Sequence, residues 1–421
     1  MRARASSRDA AHAMATAPPR SRARAAIHPA ARRGSEAADA GPVPPSRRWS
    51  HLDELKVLVV AGVIVVHVAI TYGAAGSWYV ADIDESTSAV GEVVLSVFVV
   101  IGALFSMGLL FLVAGALTVP SLERKGARRF VVDRLKRLGI PLVGFVLFAT
   151  PLLEYTGYRT DGGHDGLGAF ITDHTNEWVL DPGPLWFVEA LLVFSFAYVA
   201  WTTWHPRRQP PAKPLTGRVV LQLVAVVACA EFLTRLVFPL GSEQLRLQLA
   251  LFPQYIVLFA FGVAAWRRGW LDEIPARVYR RCRATALLAA VLLPPIAAAG
   301  GGLDDGSPVL GGPHWQSAAF AFADATLACC ASLWLLEAFR RHRGGRECGE
   351  FGRWLSRRAY GAYIVQPLVI VPFALALSPL PAPGELKFLV MAPLAVAASF
   401  SLGARPGRRP VHPSLEPATR C

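Results

Sequence analysis

The segment LDELKVLVVAGVIVVHVAI, from Leu52 to Ile70, decides the fold class of this protein. Its apolar run approaches the length needed to cross the hydrocarbon core of a bilayer as an α-helix, which is about 20 residues. After Lys56, the run contains a single titratable side chain, that of His67. Because an imidazole in lipid costs free energy unless a partner satisfies it, His67 is by default a candidate functional residue.

The composition of the whole chain indicates the same class. Of the 421 residues, 53% are hydrophobic and 17% are charged, and the mean hydropathy is +0.38. Soluble domains carry about 25% charged residues, so the sequence predicts a polytopic membrane protein. The net charge of +13 falls in bands between apolar runs, a pattern that membrane insertion produces, and it does not indicate nucleic-acid binding.

The apolar runs predict an all-α bundle of about ten transmembrane helices. The second run is long enough to tilt or to project from the bilayer. The seventh and tenth are the least regular, because each is short or interrupted by proline. The approximate limits are 55–72, 92–119, 138–155, 184–204, 217–238, 249–266, 284–299, 315–338, 359–377 and 386–403.

Lysine and arginine lie almost entirely in alternate connections between these runs. Those connections hold 39 of the 43 basic residues, so the positive-inside rule places them and both termini in the cytoplasm, for a multi-pass protein of the cell membrane. Residues 1–50 are expected to form a disordered basic arm without a cleavable signal, 51–403 the transmembrane domain, and 404–421 a cytoplasmic tail. A start at Met14 is equally consistent with the sequence.

Lys56 and His67 are 11 residues apart. On an α-helix that spacing places both on one face, separated by about 16 Å along the axis. One face therefore joins a cation at the predicted cytoplasmic mouth to a titratable group in the outer half of the bilayer. Considered separately, each residue has an alternative explanation. His67 could be a structural histidine, and Lys56 could be an anchor whose charged end reaches the membrane surface.

A second basic element, SLERKGARRFVVDRLKRLGIP, runs from Ser121 to Pro141. Its apolar residues recur at helical spacing, which predicts an interfacial helix entering the third span. Arg134 and Arg137 lie one turn apart, and two neighbouring guanidinium groups suit a phosphate or pyrophosphate. Attraction to anionic lipid headgroups is the alternative explanation.

Charged residues also lie in the outer half or near the middle of the predicted spans. Glu189 lies at a depth close to that of His67 and is a candidate to orient it or to bind acceptor hydroxyls. Glu231 and Arg235, spaced i,i+4, are expected to form a structural pair, and Asp324 is a candidate acceptor contact near mid-membrane.

Aromatic residues cluster at the predicted outer helix ends, among them Trp178, Trp186 and Trp315. An interfacial belt explains them, and sugar stacking is the alternative. The connection 154–183 is long for a compact bundle, so it is expected to be either a lid or a plain solvated loop.

K-x10-H in the first span (Lys56 to His67) and RxxR after the second (Arg134 to Arg137) resemble the paired signature of the acyltransferase 3 family. Three longer stretches also resemble this family, and the likeness covers about residues 50–403. They are FLVAGALTVPSLERKGARRFVVDRLKRLGIP, GPLWFVEALLVFS and RRAYGAYIVQPLVIV.

This resemblance implies an integral-membrane O-acyltransferase that moves an acyl group from cytoplasmic acyl-CoA to a hydroxyl of a carbohydrate, a glycolipid or another polyhydroxy acceptor. By this resemblance, His67 corresponds to the family's histidine, and Lys56, Arg134 and Arg137 correspond to its basic residues. Gln366 departs from the pattern, because many relatives have histidine there. The imidazole of His67 would act as general base or would accept the acyl group itself.

Two other functions remain open at this stage, a secondary transporter of a small polar solute and a non-catalytic scaffold. No metal or redox cofactor is expected, because the six cysteines show neither CxxC nor metal-ligand spacing. Acyl-CoA is a substrate in this hypothesis, and the lipid bilayer is the remaining partner.

Overall fold

A computed structural model describes residues 50–82, 87–178, 181–205, 213–242, 247–302, 306–343 and 349–403. Of these, 50, 174–178 and 343 are described by their backbone alone. The predicted arm and tail lie outside the described residues, except for Ser50.

Eleven helices make up the described part of the chain, together with short 3-10 turns at Gly183–Leu185 and Leu249–Leu251. Every helix except α4 is long and apolar enough to cross a membrane, which confirms the predicted all-α class and the ten spans. The helices are α1 (Ser50–Thr71), α2 (Ala89–Lys125), α3 (Ala127–Thr160), α4 (Leu167–Trp178), α5 (Trp186–Trp204), α6 (Gly217–Arg235), α7 (Phe252–Arg267), α8 (Ala276–Ala299), α9 (Trp315–Arg343), α10 (Glu350–Leu377) and α11 (Gly384–Leu402).

Helix α1 packs against four other helices, α2, α9, α10 and α11. Leu55, Ile64 and Val68 are fully or almost fully buried along it. A span in lipid must pair every backbone polar group within itself, which favours a continuous helix over this β-branched run. The end of the bundle at which α1 begins is called the basic end below, and the other the opposite end.

The α2–α7 pair is held at close range by two glycines. A Cβ at Gly115 would lie 2.1 Å from the Phe259 carbonyl oxygen, and one at Gly262 would lie 2.0 Å from that of Leu112. Small residues let transmembrane helices approach to backbone contact, where packing alone stabilises the pair.

Helix α3 begins directly after Gly126, whose φ of 72° breaks the path from α2. The predicted helix over 121–141 does enter the third span, but only from Ala127 onward, because residues 121–125 end α2. Two π-helical turns interrupt α3, at Leu135–Gly139 and Phe145–Ala149. In each, a backbone N–H bonds the carbonyl five residues earlier, so the turn holds one extra residue.

The two spans expected to be least regular are both complete. Helix α8 continues through Pro294 and Pro295, and α11 continues through Pro393. Proline inside a transmembrane helix is tolerated because neighbouring groups satisfy the freed carbonyls.

The predicted loop 154–183 is partly helical, because it contains the end of α3 and all of α4. Phe170 on α4 packs against the rings of Tyr155 and Tyr158, at centroid distances of 5.4 and 5.0 Å. The connection is therefore a folded element and not a plain loop.

Candidate active site

His67 points into the bundle, towards α10 and away from the lipid-facing surface. Its Nδ1 lies 3.1 Å from Gln366 Oε1, and its ring stacks on that of Trp78, with centroids 4.1 Å apart and planes 17° apart. An amide oxygen only accepts hydrogen bonds, so in this geometry Nδ1 carries the proton. The lone pair of the neutral imidazole is then on Nε2, where it is available to a reactant.

The connection after α1 folds back over the bundle and brings Trp78 to the imidazole. Gly73 and Gly76 take positive φ values of 106° and 141°, which only glycine adopts without strain. The Asp82 N–H then donates to the Thr71 carbonyl at 2.8 Å, closing the loop onto the end of α1.

Helix α11 holds this loop in place. Lys387 Nζ lies 3.0 Å from Asp82 Oδ2, with side chains only 3% and 14% exposed. The Tyr72 hydroxyl donates to Met391 sulfur at 3.0 Å. Burial raises the pKa of Tyr72, and the negative charge of Asp82 raises it further, so the phenol stays a donor.

A series of contacts begins at His67, passes through the loop after α1, the Gly183–Leu185 turn and α10, and returns to His67. The ring of Tyr79 packs edge-on against that of Trp78, with centroids 5.1 Å apart. A Cβ at Gly183 would lie 2.2 Å from Tyr79 Oη, so the phenol lies against that glycine. The hydroxyl of Tyr363 donates to the Pro184 carbonyl, and α10 completes the series because it also carries Gln366. We call this set the histidine enclosure: His67, Trp78, Tyr79, Gly183, Pro184, Tyr363 and Gln366.

Three donor groups of the enclosure are buried without a hydrogen-bond partner in the described part of the chain: Trp78 Nε1, Tyr79 Oη and Gln366 Nε2. Buried polar groups in proteins are nearly always paired. Their concentration around one imidazole therefore indicates a place for a ligand that supplies acceptors. Sequence analysis missed Trp78 and Tyr79, because a loop has no periodic pattern to reveal its contacts.

Glu189 lies one turn into α5, just beyond the Gly183–Leu185 turn, and is partly buried. Gln366, and not Glu189, makes the hydrogen bond to His67 Nδ1. Within the described ranges Glu189 has no hydrogen-bond or ion-pair partner, so its role in catalysis stays a prediction.

The predicted donor-binding residues lie at the basic end. Lys56 Nζ is 3.3 Å from Asp53 Oδ1, and its side chain is 36% exposed. Arg134 Nη2 is 3.3 Å from Thr118 Oγ1, whereas Arg137 is exposed. The two arginines are close enough to repel each other electrostatically, so a polyanion at this point would relieve that repulsion.

Asp324 belongs to a buried ionic cluster between α6 and α9. Arg235 Nη2 lies 2.6 Å from Asp324 Oδ2 and 3.4 Å from Glu231 Oε2, and all three side chains are fully buried. The predicted Glu231–Arg235 pair is therefore present, but Asp324 is the closer partner. The spacing in the sequence predicted the i,i+4 pair, but it could not predict the contact that Asp324 makes from α9. The acceptor role of Asp324 stays a prediction.

The predicted aromatic belt is wrong for Trp186. Its ring packs inside the bundle against Tyr255, at a centroid distance of 5.4 Å, and against Phe111 at 6.5 Å. Trp315, by contrast, is 71% exposed, as a belt residue would be. The side chain of Trp178 lies outside the described residues.

No group of three or more His, Cys, Asp or Glu residues in the described segments is placed to hold a metal ion. Of the cysteines that the structure describes, Cys282, Cys329 and Cys330 are buried and Cys229 is exposed, all as free thiols.

Comparisons with known proteins bear on the same region. A family model for an acyltransferase domain, Acyl_transf_3, matches residues 49–404. Glucans biosynthesis protein C of Salmonella gallinarum is 26% identical over 187 residues, which cover 44% of this chain and 46% of that protein. The protein of the same name from Salmonella heidelberg is 25% identical over the same shares. The match thus spans about half the length of these relatives. No solved structure matches.

Proposed function

The chain belongs to the acyltransferase 3 family, and we propose that it transfers an acyl group from acyl-CoA to a hydroxyl of a carbohydrate or glycolipid acceptor. The observation that carries the proposal is the imidazole of His67, turned into the bundle with Nδ1 on Gln366 Oε1 and Nε2 left as the free base. Buried donors that lack a partner among the described residues surround it, as a site for an oxygen-rich substrate requires.

In the proposed step, His67 Nε2 takes the proton of the acceptor hydroxyl while that oxygen attacks the thioester carbonyl carbon. A C–O bond forms and the C–S bond breaks. The leaving thiolate then receives the proton from the imidazolium, so His67 returns to its starting state. In the alternative route Nε2 itself takes the acyl group and passes it to the acceptor. Both routes use the same lone pair.

The donor would bind with its phosphates at the basic end, which we place in the cytoplasm. Arg137 is exposed there, and Arg134 is held by Thr118 and lies over the ring of Phe130, with its guanidinium carbon 5.1 Å from the centroid. Lys56 lies about 16 Å along α1 from His67. The thin pantetheine arm of coenzyme A would carry the thioester across that distance while its charged end stays in water.

A carbohydrate acceptor is supported by the name of the Salmonella relatives, glucans biosynthesis protein C. Support also comes from the enclosure, because indole and phenol rings beside unpaired donors suit a polyhydroxylated ligand. We place acceptor binding at the opposite end of the bundle, above Trp78 and Tyr79.

The test uses inverted membrane vesicles supplied with labelled acetyl-CoA or succinyl-CoA. We expect label in envelope carbohydrate with the wild type and its loss in His67→Ala. The matched control is His205→Ala, which removes an exposed histidine at the end of α5 and should transfer normally.

Undiminished transfer in His67→Ala would contradict the assignment of His67. Movement of carbohydrate across the membrane without any acylation would instead support the transporter hypothesis.

A further inference from the structure

Tyr79 has the one hydroxyl group among the three unpartnered donors of the histidine enclosure. Its ring lies edge-on to Trp78, which in turn stacks on the imidazole of His67. The phenol is therefore one side chain away from the proposed base, and its hydroxyl lies against Gly183. No acceptor for this hydroxyl is present among the described residues.

The phenol is also held in its neutral form. Burial raises the pKa of Tyr79 well above its usual value, and the negative charges of Asp181 and Glu154 raise it further. Its O–H bond is consequently available as a donor at any pH at which the protein works. A buried donor of this kind is poor at holding cations and well suited to an oxygen that gains negative charge.

We propose that Tyr79 is a further catalytic residue, whose hydroxyl donates a hydrogen bond to the acyl carbonyl oxygen as the tetrahedral intermediate forms. This inference rests on the proposed function. As the acceptor oxygen or His67 Nε2 adds to the carbonyl carbon, the C=O π electrons move onto the carbonyl oxygen. They return when the C–S bond breaks, and Tyr79 keeps its own proton throughout.

The glycine that faces the phenol fits this role. Gly183 takes a φ of 48°, and any side chain there would overlap Tyr79 Oη. The Gly183 N–H donates to Asp181 Oδ1 at 2.7 Å, and the Gly183 carbonyl accepts from the Trp186 N–H. The turn therefore approaches the phenol closely, and Tyr79 Oη still has no hydrogen-bond partner among the described residues.

A matched pair of tyrosines separates catalysis from packing. Tyr79→Phe removes a hydroxyl that has no partner in the described segments, whereas Tyr363→Phe removes one that donates to the Pro184 carbonyl. Removing an unsatisfied buried hydroxyl relieves a desolvation cost, whereas removing a paired one leaves a buried carbonyl unsatisfied. The thermal unfolding midpoint should therefore stay level or rise in Tyr79→Phe and fall in Tyr363→Phe.

The kinetic measurement uses the full chain in nanodiscs, with labelled acetyl-CoA or succinyl-CoA as donor and total envelope carbohydrate as acceptor. We expect kcat to fall about 100-fold in Tyr79→Phe, a typical loss for one oxyanion donor, with KM unchanged for both substrates. If Tyr79→Phe fails to insert, a fluorinated tyrosine of greater acidity at position 79 keeps the shape, and kcat should then change with the acidity of the phenol.

A wild-type kcat in Tyr79→Phe would overturn the inference. If the KM for the acceptor were raised at the same time, the phenol would be an acceptor-binding group. A kcat that does not respond to fluorination would overturn it as well. Wild-type protein that transfers no acyl group would remove the proposed function itself, and this inference with it.

Discussion

His67 depends on a neutral amide for its orientation. A carboxylate at Nδ1 would stabilise the imidazolium, whereas the Gln366 oxygen accepts the proton of Nδ1 without adding charge. The imidazole is thus kept in the form in which Nε2 is a base or a nucleophile. The departure from histidine at this position preserves a hydrogen-bond partner of about the same reach.

Two substitutions at Gln366 test this dependence. Gln366→Leu should lower kcat about 10- to 100-fold, because the tautomer and the ring orientation are no longer fixed. Gln366→Glu should move the rising limb of the pH–rate profile to higher pH, because a carboxylate favours the protonated ring and more alkaline solution is needed to free Nε2. Both variants are measured by initial rates across pH, and profiles that coincide with the wild type would contradict the positioning role.

Sequence alone identified His67 because one polar side chain in an apolar run stands out against the cost of burying it. It did not identify the groups that surround the ring. Trp78 and Tyr79 reach it through a loop whose path is set by Gly73, Gly76 and the contacts to α11. Gln366 appeared only as an exception to a family pattern, and its hydrogen bond depends on how α1 and α10 pack.

At the scale of the helix, the two arginines of α3 have different surroundings. Arg134 is anchored on Thr118 and Phe130, whereas Arg137 is exposed. We expect Arg137→Ala to raise the KM for acyl-CoA with little change in stability. Arg134→Ala should raise that KM and also lower the unfolding midpoint.

Steady-state rates at varied acyl-CoA concentration, beside thermal unfolding of the same samples, check both expectations. Arg128→Ala is the matched control, because it removes an exposed positive charge from the first turn of α3. If all three variants had the same KM for acyl-CoA, the result would contradict donor binding and would favour the alternative that Arg134 and Arg137 bind lipid headgroups.

The ionic cluster of α6 and α9 should dominate the stability of that pair of helices. Arg235→Leu leaves Glu231 and Asp324 buried without a counter-charge, at a cost of about 3–5 kcal/mol. Arg340→Leu, which breaks an ion pair whose arginine is 29% exposed, is the control and should cost clearly less. Denaturant unfolding in detergent compares them.

Asp324→Asn addresses the acceptor role that sequence analysis assigned to this residue. A raised KM for the acceptor without loss of stability would support that role, and loss of stability alone would leave Asp324 as a structural partner of Arg235.

For the whole molecule, hydrophobic length and charge distribution predicted the class, the number of spans and their order, because these depend on composition averaged over many residues. They did not predict the helix inside the 154–183 connection or the inward position of Trp186. Both are determined by contacts with distant residues, such as Phe170 with Tyr158 and Trp186 with Tyr255.

The orientation in the membrane is a prediction of charge bias, and two glycines allow a direct test. A Cβ at Gly166 or Gly349 would meet no described atom within 4 Å, so cysteine should be accepted at either position. In a background with Cys229, Cys348 and Cys421 replaced by serine, an impermeant maleimide should label Gly166→Cys in intact cells. Gly349→Cys should react only after permeabilisation, and the reverse pattern would place both termini outside.

The two π-helical turns of α3 have a consequence for how this helix accommodates a change in its length. Each residue of an α-helix advances by about 100°, and a π turn absorbs one residue more than the regular pattern. Deleting one residue within Leu135–Gly139 would convert the π turn into a regular α turn, so Arg134 would stay beside Thr118 and the far half of the span would keep its packing. A change of length, usually disruptive inside a membrane helix, can thus be accommodated at this turn without redirecting either half of α3.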